Sequence, residues 1–167
     1  NTNFKNVRFE VVEDGKLTIS KRNVTLTSAD LTKVYDGTVL TNGDTPVTVG
    51  GDGFADGEGA TYDFTGSQTD VGKSENTFTY KAKEGTNPDN YAITTEFGTL
   101  EVTPVTDKVT VTIKGGKSSV TYNGEEHTVS GYKVSDISNP LYTANDFSFS
   151  GTAEAKGKNA GLYKMGL

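Results

Sequence analysis

The residue types that could carry chemistry are few and widely spaced in this chain. His127 is the only histidine, and it follows Glu125 and Glu126. A zinc site generally needs three or four converging ligands, and the chain has no cysteine to supply any of them. No serine and aspartate can be ordered convincingly around this single histidine as a catalytic triad. We expect His127 to be a surface or strand-packing residue, with metal binding as the alternative.

A glycine-rich loop over residues 50–59 carries Asp52, Asp56 and Glu58, whose carboxylates could offer oxygen ligands to calcium. Their spacing departs from the EF-hand pattern, so a solvated, flexible turn is the favoured interpretation. The same loop lacks the lysine and the following helix that a phosphate cradle requires. Paired carboxylates for glycoside hydrolysis would need a cleft that raises the pKa of one acid, which small β modules seldom provide. We therefore expect neither a cofactor nor enzymatic activity.

Composition indicates a chain of many short strands. Thr, Val, Tyr and Phe supply much of its apolar and β-branched content, glycine is abundant, and proline is scarce. The net charge is −6, with acidic and basic residues interleaved, so the basic stripe of a nucleic-acid binder is missing. The sequence shows neither an apolar run long enough to span a bilayer nor a signal peptide. We expect a soluble fragment of a longer protein, held together without disulfides.

The chain repeats itself. Val34–Thr38 returns as residues 121–125, and residues 17–20 return as residues 100–103. Residues 64–72 share their Phe-x-Gly start and small-residue end with residues 149–161. Tandem arrays build length and present surface, so the default function is structural or adhesive. The residues that define the repeated turn are Tyr35, Asp36, Gly37, Tyr122, Asn123 and Gly124.

Local patterns predict strands and turns within these repeats. Asp36-Gly37 and Asn123-Gly124, each between strand-like runs, predict hairpins with type I′ turns, which need positive φ at both central residues. Alternating residues predict strands at 24–26, 33–35, 38–40, 62–64, 78–80, 91–93, 100–102, 109–113, 127–129, 147–149 and 162–165. Helix is expected only as single turns at 28–31 and 143–147. Tyr35 and Tyr122 are expected to pack in the core, with a sugar-binding platform as the alternative.

The motifs at residues 33–38, 66–72, 90–94 and 98–104 resemble the YDG and MBG type repeats of large Gram-positive cell-surface proteins. This resemblance covers nearly the whole chain. It implies β-grasp-like or immunoglobulin-like modules in an adhesin or stalk, and it offers no catalytic residues. Such surface proteins sometimes carry a lysine isopeptide crosslink, and Lys21, Lys33, Lys108 and Lys114 are the candidates. The alternative is that these are edge-strand lysines that discourage aggregation.

The repeat and the resemblance together predict three segments. Residues 1–20 are expected to be the closing strands of a preceding repeat, residues 21–103 a complete module, and residues 104–167 a second module lacking its C-terminal strands. Pro104 begins the joint. Residues 3–19, called here the donor segment, are strands of the type that the second module lacks. The donor segment should therefore complete another copy by strand addition, through Val7, Phe9, Val11, Leu17 and Ile19.

We therefore expect an all-β fold of tandem small β modules arranged end to end. The expected function is a non-enzymatic stalk, spacer or adhesive repeat on a bacterial cell surface, attached to the wall through other parts of the parent protein. The alternative is direct binding of a host glycan or matrix protein. Expected partners are neighbouring repeats and a second copy of the chain, with no nucleic acid and no membrane insertion.

Overall fold

The computed structural model describes residues 3–167 and is nearly all β, which confirms the all-β part of the predicted fold class. Within these residues the only helical element is a 3-10 turn at Pro88–Asn90. The strands are β1 (Arg22–Thr27), β2 (Leu31–Val34), β3 (Thr48–Gly51), β4 (Ala60–Phe64), β5 (Gly72–Glu75), β6 (Phe78–Ala82), β7 (Tyr91–Glu96), β8 (Thr99–Thr103), β9 (Val111–Gly115), β10 (His127–Ser130), β11 (Tyr132–Ile137) and β12 (Glu154–Gly157).

The chain divides into two compact units. The first unit contains the described residues up to Lys33 together with Val39–Thr103, and the second contains Val34–Thr38 together with Pro104–Leu167. The main division lies between Thr103 and Pro104, where the sequence places a joint. Strands β1 and β3–β8 belong to the first unit, and β9–β12 belong to the second.

In the first unit β1 is the central strand of a three-stranded sheet. It pairs with β3 antiparallel and with β7 parallel, so that both of its edges are used. Its sequence alternates, and the inward positions Val24 and Leu26 are fully buried. A parallel neighbour requires a crossover connection, which the long stretch between β1 and β7 supplies. Because β1 is paired on both sides, it anchors the core of this unit.

Two smaller sheets complete the first unit. In one of them β8 lies between β2 and β5, and in the other β4 pairs antiparallel with β6. The inward residues of β8 are Leu100 and Val102, which are 0% and 1% exposed. Gly98 immediately precedes β8 and lies so close to the backbone of Ala29 that a Cβ there would be 2.4 Å from the Ala29 carbonyl oxygen. The start of β8 therefore requires glycine.

The core of the first unit is a cluster of aliphatic and aromatic side chains. Val24, Leu26, Phe78 and Tyr91 form its buried centre. The ring of Phe78 has three aromatic neighbours, with centroids 5.4–5.8 Å away, at Tyr62, Phe64 and Phe97. Aromatic pairs prefer such tilted and edge-to-face geometries. The predicted alternation of β4 and β6 thus places Tyr62, Phe64 and Phe78 in one packed aromatic cluster, while Tyr80 of β6 is exposed.

A buried polar cluster lies beside this core. Ser28, Asn42 and Asn76 are 4%, 2% and 0% exposed. The Asn76 side-chain amide donates to the Ala29 carbonyl at 2.9 Å and to Asn42 Oδ1 at 2.8 Å. Ser28 Oγ donates to the Asn76 carbonyl at 2.7 Å. Since Asn76 also donates its backbone N–H to the Gly98 carbonyl at 2.7 Å, the cluster ties together loops from distant parts of the chain.

The second unit buries fewer apolar residues than the first. It has two two-stranded antiparallel sheets, β9 with β11 and β10 with β12. Among its described residues only Ala155 is a buried apolar residue. Val111 and Ile113 on β9 are half-buried, although Val24 and Leu26 at the equivalent places on β1 are fully buried. An open core on this side of β9 is the main difference between the two units.

Several predicted strands are wrong. Residues 3–21 contain no strand and are exposed, so residues 7–11 and 17–19 are not strands in this structure, while their assignment to a preceding repeat stays a prediction; Asn1 and Thr2 lie outside the described residues. Residues 38–40, 147–149 and 162–165 also lie outside strands. A strand needs a neighbouring backbone to satisfy its N–H and C=O groups, and none of the described strands pairs with residues 3–21. The single helical turns predicted at 28–31 and 143–147 are wrong as well.

Candidate functional site

The candidate site is a groove of about 380 Å³ in the second unit, called here the second-unit groove. Its floor is the antiparallel pair β10–β12, in which Val129 lies opposite the buried Ala155. Its two walls are segments without strand structure, one at residues 118–122 and the other at residues 158–163. The groove is therefore a strand-floored channel between two irregular segments.

Tyrosine rings flank the channel. Tyr122 is 62% exposed and Tyr163 is 46% exposed. The ring of Tyr163 lies over Gly157, where a Cβ would come within 2.2 Å of the ring, and its hydroxyl donates to the Asn159 carbonyl at 3.2 Å. Glycine at position 157 thus allows the ring to lie flat on β12. The core packing predicted for Tyr122 is wrong, because the described part of the second unit buries little around it.

The chemistry available in the groove is limited. His127 lines it, and its Nε2 lies 2.9 Å from Asn123 Oδ1. Among the described residues, those that line the groove include lysines and serines but no carboxylate. General acid–base catalysis by a carboxylate pair is therefore not favoured at this place. The lining supplies tyrosine rings, serine hydroxyls and lysine ammonium groups.

The acidic loop at residues 50–59 lies outside the groove lining. Within residues 3–167 no group of three or more His, Cys, Asp or Glu residues is placed to hold a metal ion. In the acidic loop, Glu58 accepts a hydrogen bond from the Tyr91 hydroxyl, and Asp52 Oδ2 accepts one from the Asn23 N–H at 3.0 Å. Arg22 also donates to the Gly53 carbonyl at 3.1 Å. These contacts anchor the loop to β1 and β7, while Asp52 and Asp56 are exposed, as the prediction of a solvated turn requires.

The hydrogen bond to Glu58 also raises the pKa of Tyr91 above its ordinary value, since the neutral hydroxyl is the form that donates. The group therefore contributes its stabilisation below the ordinary tyrosine pKa and loses it as the pH rises through the higher folded-state value. Sequence reasoning assigned neither Tyr91 nor Arg22 to this loop. Only the three-dimensional proximity of β7 to residues 50–59 reveals the link.

The repeated turns form, but by a different mechanism from the predicted one. Gly37 and Gly124 have φ of 77° and 82°, whereas the described residues include no other residue type with positive φ, so the type I′ assignment is wrong. Asp36 Oδ1 instead accepts from the Thr38 N–H at 2.9 Å, and Asn123 Oδ1 accepts from the Glu125 N–H at 3.0 Å. These are Asx turns, in which a side-chain oxygen replaces a backbone carbonyl. Either Asp or Asn supplies that oxygen.

The hairpin expected around Asp36-Gly37 is also wrong. Before the turn, β2 pairs with β8, and after it Leu40 bridges Gln68. The strands on the two sides of the turn therefore diverge to different partners. Tyr35 at this turn is half-buried.

The candidate crosslink lysines differ in burial. Lys21, Lys108 and Lys114 are exposed, and Lys33 is half-buried. An isopeptide bond promoted by a buried acid needs a lysine shielded from water, so the three exposed lysines fit the edge-lysine interpretation better.

The turn at Thr143–Asp146 provides a test of the local electrostatics. Asp146 Oδ2 accepts from the Thr143 N–H at 2.7 Å and from the Thr143 hydroxyl at 2.8 Å, and these bonds hold the pKa of Asp146 below its usual value. We expect the turn to be intact at neutral pH and to loosen as the pH falls through that lowered pKa. Titration of the Asp146 carboxyl carbon by NMR should show a midpoint below the ordinary value for an aspartate. In Thr143→Val the midpoint should rise, and an unchanged midpoint would contradict the assignment.

The donor segment belongs to none of the three sheets of the first unit, and its apolar residues are exposed to water. Phe9, Leu17 and Ile19 are 91%, 86% and 86% exposed, and Val7 and Val11 are similarly open. Isolated exposed apolar residues are normal in proteins, but a row of them at alternate positions is not.

Comparison with known proteins gives no relative for this chain. No family model matches it, and neither does any curated protein or solved structure. In the part of the chain that the structure describes, no helix has the length and apolar character needed to cross a membrane.

Proposed function

We propose that this chain is a non-enzymatic repeat region of a bacterial cell-surface protein and acts as a stalk, spacer or adhesive module. The observation that carries the proposal is that equivalent motif positions pair in equivalent ways. Val111 on β9 precedes Tyr122 by as many residues as Val24 on β1 precedes Tyr35. Both strands take an antiparallel neighbour from the following part of their unit, β3 for β1 and β11 for β9.

A second pairing supports the same proposal. The bridge between Leu40 and Gln68 in the first unit has a counterpart in the pairing of β10 with β12. His127 follows Tyr122 by as many residues as Leu40 follows Tyr35. Two regions that reuse one motif and one pairing scheme are typical of repeat proteins, whose repeats build length.

The surface chemistry agrees with a spacer. The net charge of −6 is carried by interleaved acids and bases, and charge away from zero keeps a protein soluble and prevents nonspecific sticking. The resemblance to YDG and MBG type repeats adds the location, an extracellular site on the cell wall of a Gram-positive bacterium. Its partners would then be the neighbouring repeats of the same parent protein.

A second candidate is direct binding of a host glycan or matrix protein. Tyr122 and Tyr163 favour it, since exposed rings beside a groove can stack on sugar faces. Binding to a glycan or matrix-protein array that is lost in Tyr122→Ala and kept in Tyr80→Ala would favour this candidate. Tyr80 is a suitable control because it is 38% exposed and lies in the first unit.

The spacer proposal is tested by length. Fusions of two, three and four copies of the chain should increase the maximum dimension in small-angle X-ray scattering by a constant step per copy. A stalk does not need to bind a ligand, so the wild-type chain should show no binding to the glycan and matrix-protein arrays. A maximum dimension that levels off as copies are added would contradict the proposal.

A further inference from the structure

We propose that Asn123 is a self-modification site: its side chain cyclises onto the backbone nitrogen of Gly124, releases ammonia and becomes an aspartyl residue. The chain contains two Asn-Gly pairs, Asn42-Gly43 and Asn123-Gly124. Asparagine followed by glycine is suited to this reaction, because glycine has no Cβ to hinder the approach of its backbone nitrogen. The surroundings of the two pairs decide which of them reacts.

Two hydrogen-bond donors meet at the side-chain carbonyl of Asn123. The Glu125 N–H donates to Asn123 Oδ1 at 3.0 Å, and Nε2 of His127 lies 2.9 Å from the same atom. Since a backbone N–H only donates, the atom that it meets is the carbonyl oxygen, and Nε2 must carry a hydrogen to bond to it. Both bonds are made to the oxygen and neither to the amide nitrogen, which is the leaving group.

These two donors act on the reaction as an oxyanion hole does. Attack of the Gly124 nitrogen on Cγ of Asn123 places negative charge on Oδ1, and donors aimed at an oxygen where charge develops lower the barrier. His127 is thus a catalytic group for this step, because it touches the oxygen of the carbonyl that reacts.

The reaction balances with water as the only other reactant. The bond between the Gly124 nitrogen and Cγ of Asn123 forms, the bond from Cγ to Nδ2 breaks, and the proton of the Gly124 N–H leaves with Nδ2 as ammonia. Water then opens the cyclic imide. Attack at Cγ gives aspartate with the main chain unchanged, whereas attack at the backbone carbonyl carbon gives isoaspartate, whose main chain runs through Cβ. No electrons are transferred.

The Asn123-Gly124 turn is open to the water that this reaction needs. Asn123 is exposed, and Gly124 has a φ of 82°, which glycine adopts without strain. The equivalent turn of the first unit, Asp36-Gly37, is exposed as well, so exposure is a property of the repeated turn.

The aspartate product keeps the turn. In the first unit Asp36 Oδ1 accepts from the Thr38 N–H at 2.9 Å, which is the bond that Asn123 Oδ1 makes to Glu125. An aspartate side chain therefore supports this Asx turn as well as asparagine does. Conversion gives the second unit the residue that the sequence already encodes in the first, and it adds one negative charge beside His127.

The other Asn-Gly pair is protected by the buried polar cluster. Asn42 is 2% exposed, and its Nδ2 donates to the Thr45 carbonyl at 2.6 Å. Its Oδ1 accepts from Asn76 at 2.8 Å. These bonds hold both the carbonyl oxygen and the leaving nitrogen, so the reaction requires the cluster to open first. The same dipeptide in the same chain is therefore an internal control.

The test ages the intact wild-type chain in water enriched in the heavy oxygen isotope, with peptide mapping by mass spectrometry to follow each site. In the folded protein Asn123 should convert about tenfold faster than Asn42 or more, because Asn42 must first be released by local opening. In urea the two sites should convert at similar rates. Asn123 should also react faster in the folded protein than in urea, since only the folded chain holds both donors on Oδ1.

His127→Ala tests the catalytic role. Conversion of Asn123 should slow by roughly threefold to tenfold, which is less than the ~10²–10³ lost with one donor of an enclosed oxyanion hole, because water competes at an exposed turn. Thr128→Ala, at the exposed next residue of β10, is the matched control and should leave the rate unchanged. The share of aspartate over isoaspartate should fall in His127→Ala, because donors on Oδ1 favour attack of water at Cγ. Loss of a merely structural contact would leave that ratio unchanged.

The proposal is overturned if folded Asn123 converts no faster than folded Asn42, or more slowly than in urea. A His127→Ala protein with wild-type rate and product ratio would overturn the role of His127. The comparison of folded and unfolded wild type needs no variant, so it stands whatever His127→Ala does to folding. This inference goes beyond the spacer function and fails separately from it, because the length added per fused copy does not depend on the residue at position 123.

Discussion

Replacing Leu100 with alanine is expected to lower the free energy of unfolding of the first unit by about 3 kcal/mol, within the range of about 2–5 kcal/mol for such core truncations. Leu100 is 0% exposed on β8, between β2 and β5. The loss has two parts, the transfer free energy of the removed methyl groups and the cavity that a strand paired on both sides is unable to close. Urea denaturation, with hydrogen exchange at the amides of β1 and β8, assigns the change to the first unit.

Leu17→Ala is the matched control for this prediction. Leu17 holds the equivalent position in the repeated motif but is 86% exposed, so its truncation should change the free energy of unfolding by less than about 0.5 kcal/mol at concentrations where the chain is monomeric. If the two variants lose equal stability, then either β8 is not part of the core or the donor segment is folded onto its own chain. Comparison of the two variants thus separates the effect of the motif sequence on the free energy of unfolding from the effect of the packing around it.

The sequence predicted well those strands in which alternation marks a buried face. Tyr62 and Phe64 on β4, and Leu100 and Val102 on β8, alternate with polar residues, and the structure places them in strands with those residues turned inward or half-buried. The same reasoning failed at residues 147–149 and 162–165, which alternate equally well. Alternation states that a segment suits a sheet, but a strand also needs a neighbour to pair with.

Strands without alternating apolar residues were missed. β3 runs through Thr48–Gly51 and β5 through Gly72–Glu75, in stretches that read as glycine-rich loop and turn. Both form because a strong neighbour pairs with them, β1 in one case and β8 in the other. Local propensity opposed these strands, and tertiary pairing outweighed it. Strands β11 and β12 of the second unit were missed from the sequence as well.

The second-unit groove could not be predicted from the sequence for a related reason. His127, Tyr122 and Tyr163 line it together, but no local pattern joins the segment that contains Tyr163 to the one that contains Tyr122 and His127. The signal that could have found it was the repeat itself. In the repeat, residues 118–122 are equivalent to the region of β2, and residues 158–163 include the equivalent of the start of β5. In the first unit β8 lies between β2 and β5, so the groove occupies the place equivalent to that of β8.

The buried polar cluster leads to the second large prediction. Asn76→Ala should lower the free energy of unfolding of the first unit by about 2–4 kcal/mol, because each buried group left without a partner costs about 1–3 kcal/mol. The variant removes the donor to the Ala29 carbonyl and to Asn42 Oδ1, and both lie where water does not readily replace it. Asn90→Ala, at an exposed asparagine, is the matched control and should be close to neutral.

Asn76→Asp tests the direction of these hydrogen bonds. Aspartate keeps the shape of the side chain but offers only acceptors when ionised, so it would face two further acceptors, the Ala29 carbonyl and Asn42 Oδ1. The ionised form is therefore disfavoured in the folded state, and the pKa of the new carboxyl should lie above its value in the unfolded chain. The sign follows: the variant should lose most stability above that raised pKa and regain part of it as the pH falls, when a protonated carboxyl can donate once. Wild-type protein measured in parallel removes the background pH dependence. A variant as stable as wild type at neutral pH would mean that Asn76 donates to neither group.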